Sequence, residues 1–110
     1  MATTAAFTPT GNTVTFTADT VAPTPVQALS VTLGGNQYRI INSGSVTVFL
    51  GFGKTSADAA NAATVVTGSA PAIPLLAGTD EILTFIPNMY VTGITATGNA
   101  SIYVTPGDGM

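Results

Sequence analysis

Apolar and polar residues alternate along most of this chain, which is the period expected of β-strands that bury one face. The clearest stretch is residues 37–53, QYRIINSGSVTVFLGFG, in which two apolar runs flank Asn42-Ser43-Gly44-Ser45. Asn, Ser and Gly favour turns, and a turn between two strand-like runs is typical of a β-hairpin. The sequence therefore predicts a hairpin in the middle of the chain.

The second run of this hairpin carries different residue types on its two faces, because successive strand side chains point to opposite sides. The residues predicted to face the core are Val46, Val48, Leu50 and Phe52. The opposite face carries Phe49 among small residues that include Gly51 and Gly53. Glycines on a strand often mark a close approach by another part of the structure. We expect a loop, or another chain, to lie over this second face.

Turn residues divide the rest of the chain into further short strands. The predicted strands are 12–18, 26–33, 64–66, 81–86, 89–96 and 100–105, with an extended segment at 73–76 and a tail at 106–110. The first is predicted to lie at a sheet edge and to bury Val14 and Phe16. The second is predicted to place Leu29, Val31 and Leu33 on one side.

An alanine-rich segment follows the hairpin at residues 55–63. Thr55 and Asp58 have the spacing of a capping box, in which the first side chain accepts a hydrogen bond from the backbone three residues further on. We expect one very short helix here, of one or two turns. A helix of that length is too short for the crossover that joins parallel strands.

About eight short strands without a long helix predict an all-β fold. We expect an antiparallel two-sheet sandwich of jelly-roll type that forms a single domain. Residues 1–25 would supply an N-terminal arm and the first strand, and residues 26–110 the β-sandwich body. Two interpretations of the arm stay open: a disordered start of the chain, or an arm that docks Phe7 on a neighbouring subunit.

Composition narrows the classes of function. The 110-residue chain contains no cysteine and no histidine, so the thiol nucleophile, the usual base near neutral pH and the commonest transition-metal ligand are missing. Arg39 and Lys54 are its two basic residues, too few for the basic patch that binds nucleic acid. No apolar run approaches the about 20 residues of a membrane-spanning helix. We therefore expect no enzymatic activity, cofactor or metal, and neither nucleic acid nor membrane as a partner.

Charge also bears on assembly, since only 6% of the residues are charged. Soluble domains are ordinarily about 25% charged, and net charge keeps them apart. A surface this poor in charge is typical of a subunit that is covered in an assembly.

Two motifs resemble catalytic or nucleotide sites. Gly53-Lys54-Thr55 lies between a strand and a helix, as a phosphate-binding loop does, but that loop requires a glycine where this chain has Val48. Asp80 and Glu81 are adjacent on a predicted strand and so point to opposite faces, which does not suit a convergent acid–base pair. The interpretation of Lys54 as a solvated loop residue and of Asp80-Glu81 as acids at a turn is therefore favoured.

The tyrosines are candidates for carbohydrate binding. Tyr38, Tyr90 and Tyr103 would have to line one face to bind a sugar, and they lie far apart in the sequence. Tyrosines on strands are more often half-buried core or interface residues.

Several longer segments resemble a known class of protein. These are QYRIINSGSVTVFLGFG, PAIPLLAGT leading into EILTF, and GITATGNASIYVTPGDG, together with the short alanine-rich helix. From residue 37 onward the chain resembles the capsid decoration, or cement, proteins of short-tailed bacteriophages, which have about this length. The resemblance implies a jelly roll that binds the outer face of an icosahedral shell and bridges neighbouring major capsid subunits against the pressure of packaged DNA.

This resemblance also implies partners and a location. The partners would be the major capsid protein and further copies of the chain, as a dimer or trimer, on the outer surface of the virion. Synthesis would take place in the bacterial cytoplasm. The residues expected to contact the capsid are Phe7, Thr8, Pro9, Thr13, Thr15, Arg39 and Lys54. The alternative function is a carbohydrate- or receptor-binding module of a phage tail fibre or spike, which would need a groove lined by several tyrosines.

Overall fold

The computed structural model describes residues 7–31 and 35–109. Nine strands and one helix are found in this part of the chain. They are β1 (Phe7–Pro9), β2 (Val14–Ala18), β3 (Val26–Gln27), β4 (Gln37–Asn42), β5 (Val48–Gly53), α1 (Ser56–Ala62), β6 (Ile73–Leu75), β7 (Asp80–Thr84), β8 (Tyr90–Ile94) and β9 (Ala100–Gly109).

The strands form two antiparallel sheets. Sheet A has the order β2-β9-β4-β7, with β1 pairing on a further part of β9, and sheet B has the order β3-β8-β5-β6. From β2 to β9 this is the eight-strand order of a jelly roll, in which two Greek keys distribute the chain over two sheets. The prediction of an all-β, two-sheet sandwich of jelly-roll type is confirmed.

The predicted hairpin at residues 37–53 is wrong, although both of its strands exist. β4 pairs with β7 and β9, whereas β5 pairs with β6 and β8, so the connection crosses from one sheet to the other. The Asn42 side chain, which is 1% exposed, explains the crossing. Its Nδ2 donates to the carbonyls of Val46 at 2.9 Å and Leu75 at 3.1 Å, and its Oδ1 accepts from the Gly44 N–H at 2.9 Å. These bonds tie the end of β4 to β6 in the opposite sheet.

The long strand predicted at 26–33 is also wrong, because β3 has only two residues. Leu29 and Val31, which form the apolar side of the predicted strand, are 52% and 80% exposed, whereas Ala28 is fully buried. Shifting a strand pattern by one residue moves every side chain to the other face, and that inversion is seen here. Leu33 lies outside the described residues.

Thr10 accounts for this inverted facing. It lies between β1 and β2, where its N–H donates to the Pro106 carbonyl at 2.9 Å and its carbonyl accepts from the Val31 N–H at 2.7 Å. Its hydroxyl lies 2.8 Å from that of Ser30. Thr10 therefore joins the edge of sheet A to the segment after β3 and turns Ser30 inward, which leaves Val31 outside.

Two more segments differ from the sequence-based expectation. Residues 64–66 form no strand, and residues 106–109, predicted to be a tail, continue β9. This end of β9 pairs with β1, so that Phe7 lies opposite Gly109. Residues 1–6 of the predicted arm and Met110 lie outside the described residues.

The predicted facing of β5 is confirmed. Val48 and Leu50 are 0% and 1% exposed, and Phe52 packs against the same core. On the opposite face a Cβ atom at Gly51 would lie 2.4 Å from the Ala59 carbonyl oxygen. The expected close approach over this face is therefore real, and the chain's own helix α1 makes it.

The capping prediction for α1 is confirmed as well. Thr55 is the N-cap, and its side-chain oxygen accepts a hydrogen bond from the Asp58 N–H at 3.1 Å. The helix has seven residues, which is two turns. Its buried face is held by alanines such as Ala59, whose small side chain lets the helix approach the glycines of β5.

Tyr38 is a fully buried polar residue in the core. Its hydroxyl donates to the Ile86 carbonyl at 2.5 Å and accepts from the Met89 N–H at 3.1 Å. Its ring packs against those of Phe52 and Phe85, with centroids 5.9 and 6.2 Å away. Burial raises the pKa of the Tyr38 phenol above its ordinary value, and the hydrogen bond from Met89 opposes this rise only in part.

This environment predicts a loss of stability in alkali. Because the folded-state pKa of Tyr38 is raised, its contribution to stability is complete below about pH 10, the pKa of an unfolded tyrosine, and is lost as the pH rises through the folded-state value. Tyr38→Phe should lower the free energy of unfolding by about 1–3 kcal/mol near neutral pH, because the buried Met89 N–H and the Ile86 carbonyl lose their partner. The same substitution should also reduce the fall in the free energy of unfolding above pH 10.

Urea unfolding measured between pH 7 and 11 tests this prediction. Tyr103→Phe is the matched control, since it removes the same hydroxyl from a tyrosine that is 40% exposed and lies outside the core. If the free energy of unfolding falls equally above pH 10 in Tyr38→Phe and in the parent, the Tyr38 phenol is not the cause of the alkaline loss of stability.

Candidate interaction surface

The outer faces of the two sheets differ in how far the chain covers them. On sheet B, α1 lies over Gly51 and Gly53 of β5. The neighbouring strand β8 is covered by the segment between β2 and β3, because the fully buried Thr92 hydroxyl donates to the Pro23 carbonyl at 2.8 Å. Much of the outer face of sheet B is therefore already buried within the molecule.

The outer face of sheet A is open. Strand register places Thr15, Tyr103, Ile41 and Asp80 in one row across β2, β9, β4 and β7. A second row contains Arg39 and Ile82 beside Thr105, whose hydroxyl lies 2.6 Å from that of Thr13. We call this surface the open face, and its principal side chains are Thr13, Thr15, Arg39, Ile41, Ile82 and Tyr103.

Apolar groups are well represented on the open face. Tyr103 is 40% exposed and Ile82 is 50% exposed, and Ile41 lies half-buried next to Tyr103. The threonines beside them satisfy part of their own hydrogen bonding, since the Thr15 hydroxyl donates to the Ile102 carbonyl at 2.9 Å. The result is a surface on which exposed apolar side chains lie beside threonines that make some of their hydrogen bonds within the chain.

The charges on the open face neutralise each other. Arg39 Nη2 lies 3.1 Å from Asp80 Oδ2, and Nε of the same guanidinium donates to that oxygen at 3.2 Å. The two side chains are 49% and 52% exposed, so the pair contributes little to folding stability. Its main effect is to leave this surface without net charge.

The structure brings most of the sequence-predicted contact residues together. Thr13, Thr15 and Arg39 lie on the open face, and Pro9 pairs with Gly107 on the same flank of β9. The ring of Phe7 packs over Gly107, where an added Cβ atom would lie 2.4 Å from Cζ. Phe7 is thus held by its own chain.

The two remaining predicted residues lie elsewhere. Thr8 pairs with Asp108, which alternates to the opposite side of β9 from Gly107. Lys54 lies in the connection between β5 and α1, beside sheet B. Sequence reasoning did not include Tyr103 and Ile82 among the contact residues. Each has an apolar side chain at an outward position. The two can be placed on one surface only when the side of the sheet to which each strand residue points is known.

The residues considered for chemistry do not converge. Thr55 of the Gly53-Lys54-Thr55 motif uses its hydroxyl to cap α1, and a Cβ atom at Gly53 would lie 2.5 Å from the Ala59 nitrogen. Asp80 is paired with Arg39, and Glu81 lies on the other face of β7. Among the described residues there is no group of three potential metal ligands and no pocket. The one helix in the described part of the chain is too short to cross a membrane.

The tyrosines do not share a surface. Tyr38 is buried in the core, Tyr90 lies on sheet B opposite Gly53, and Tyr103 lies on the open face of sheet A. A groove lined by several of them is therefore not present in the described structure.

The chain matches no protein-family model, no curated protein and no solved structure with which it was compared.

Proposed function

We propose that this chain is a structural virion protein that binds the outer surface of an icosahedral capsid and staples neighbouring major capsid subunits. The observation that carries the proposal is the contrast between the two sheets. Sheet B is covered by the chain's own helix and loop, whereas sheet A offers a broad side with exposed Tyr103 and Ile82. An uncovered sheet face with exposed apolar side chains suits a contact with another protein.

The chemistry of the open face supports a protein partner. Aromatic residues are enriched and charged residues depleted at the centres of protein interfaces. A contact through Tyr103, Ile41 and the surrounding threonines would bury few ions, and the Arg39–Asp80 pair is already neutralised. Taking unpaired ions out of water is costly, so this composition lowers the penalty of binding over a wide area.

The assembled shell supplies the remaining affinity. A protein that bridges two subunits binds through two contacts at once, and the second contact forms at high effective concentration. Each contact can then be weak. The resemblance to phage decoration proteins over residues 37–110 supports this role in preference to a tail-fibre module, and the jelly-roll order of the strands is the fold that this resemblance implies.

An acidic substitution on the open face tests the proposal. Tyr103→Glu should weaken binding to capsid shells at least tenfold, because the contact would have to desolvate a carboxylate. Co-sedimentation with shells that lack the protein gives the affinity, and circular dichroism confirms that the variant is folded.

The matched control is Val21→Glu, which adds the same charge at a residue that is 79% exposed in the segment between β2 and β3. It should bind like the parent. If Tyr103→Glu binds as well as Val21→Glu, the open face is not the contact surface.

A further inference from the structure

The edge strands of the described sandwich differ in how readily another chain could pair with them. β3 has two residues, β6 contains Pro74 and β1 contains Pro9, and short or proline-bearing edges pair poorly. β2 and β7 are the two five-residue edges without proline, since β2 pairs only with β9 and β7 only with β4. Directly after β2 the chain turns into sheet B, where the Thr95 N–H donates to the Asp19 carbonyl at 2.9 Å. After β7 the chain continues instead into the apolar residues Phe85 and Ile86.

The sequence of this edge is suited to association. After its two acidic residues β7 carries Ile82, Leu83 and Thr84, and the chain continues past the end of the strand with Phe85 and Ile86. This stretch contains no charge, and its residues favour strands. Ile82 and Ile86 are 50% and 46% exposed. A β-prone, uncharged segment at an exposed edge is a template for pairing with further copies of the same chain.

Charge is concentrated beside this segment. Asp80 and Glu81 are two of only five acidic residues in the chain, and they directly precede Ile82, while Pro87 follows Ile86. Residues that interrupt pairing commonly flank strands of this kind. Asp80 is already paired with Arg39 on the open face, so its charge is partly compensated.

Glu81 has a different environment. It lies opposite Ile40, a fully buried residue, and therefore belongs to the core-facing side of sheet A, although its position at the edge leaves it exposed. It forms no ion pair within the described residues. A strand that added to β7 would cover this carboxylate, and burying an unpaired charge is strongly unfavourable.

We propose that Glu81 prevents copies of this chain from pairing through β7. An antiparallel pair centred on Ile82 would place Glu81 beside Leu83 of the second copy, and a shift of two residues would place it opposite Glu81 of that copy. Either register buries a carboxylate without a cation. A single acid thus keeps a protein with few charges from forming a continuous sheet with itself, whatever surface it uses for other partners.

Sedimentation velocity over a range of concentrations tests this proposal. Glu81→Thr, which introduces the residue common on the other strands, should shift the mass from one copy, 11.0 kDa, to two or more copies at concentrations where the parent stays at one. Glu81→Gln keeps the size of the side chain and should shift the mass in the same direction. Circular dichroism establishes that each variant is folded.

Two controls locate the association. Asp80→Asn removes the neighbouring charge on the open face and should leave the mass at one copy. Adding Ile82→Glu to Glu81→Thr should return the mass to one copy, because the new carboxylate would lie opposite its own counterpart in the first register and opposite Asp80 in the second. The proposal is overturned if Glu81→Thr and Glu81→Gln keep the mass of the parent, or if the parent already associates in a way that Ile82→Glu abolishes.

Discussion

Asn42→Ala is expected to lower the free energy of unfolding by about 3 kcal/mol or more, because each buried polar group left without a partner costs about 1–3 kcal/mol. The Asn42 amide serves three backbone groups, the carbonyls of Val46 and Leu75 and the N–H of Gly44. The side chain is 1% exposed, so water cannot readily replace it. Urea unfolding followed by circular dichroism measures the loss.

Asn61→Ala provides the comparison, because Asn61 is exposed on α1. The change there should be under about 1 kcal/mol, the range of helix propensities. A loss at Asn42 no larger than that at Asn61 would mean that the crossing between the sheets does not depend on the Asn42 amide.

Gly51→Ala is expected to lower the free energy of unfolding by about 3 kcal/mol, the upper end of the usual range for overpacking. The added Cβ atom would lie 2.4 Å from both the Ala59 carbonyl oxygen and the Ala63 nitrogen. These are backbone atoms of α1 and its C-cap, so a side-chain rotation cannot relieve the clash. The helix would have to move away from β5, and the burial of Ala59 and Ala63 would be reduced.

Gly68→Ala is the matched control for this substitution. An added Cβ atom there has no heavy atom within 4 Å. The same chemical change should therefore be neutral, or slightly stabilising through the unfolded state. Similar midpoints of thermal unfolding for Gly51→Ala and Gly68→Ala would contradict the close packing of α1 on β5.

The positions of several elements follow from local sequence. The alternation around Val14 and Phe16 predicted β2, and Thr55 with Asp58 predicted the start of α1. The glycines on the second face of β5 predicted that something packs there. These signals are local because strand alternation and helix capping involve neighbours in the sequence.

The errors come from contacts between distant residues. Asn42-Ser43-Gly44-Ser45 has the same turn chemistry whether the chain returns along its own sheet or crosses to the other one. The bond from Asn42 to Leu75, 33 residues further on, belongs to the crossing. Likewise, the facing of Leu29 and Val31 is fixed by Thr10, whose bonds to Ser30 and Val31 span about 20 residues.

The candidate surface was predictable only in part. Thr13, Thr15 and Arg39 were expected to contact a partner, and they do share the open face. Their common face depends on the register of β2 and β4 against β9, which neither strand specifies alone. Tyr103 and Ile82 were missed for the same reason. Whether these residues contact a capsid stays a prediction.

The most direct test of the proposed role is the number of copies of the purified parent protein that bind capsid shells assembled without it. Co-sedimentation at increasing protein concentration should reach saturation, at on the order of hundreds of copies per shell, because a staple between subunits repeats over the whole surface. Saturation at only a few to some dozens of copies would instead fit a fibre or spike. No binding by the folded protein would contradict the capsid role.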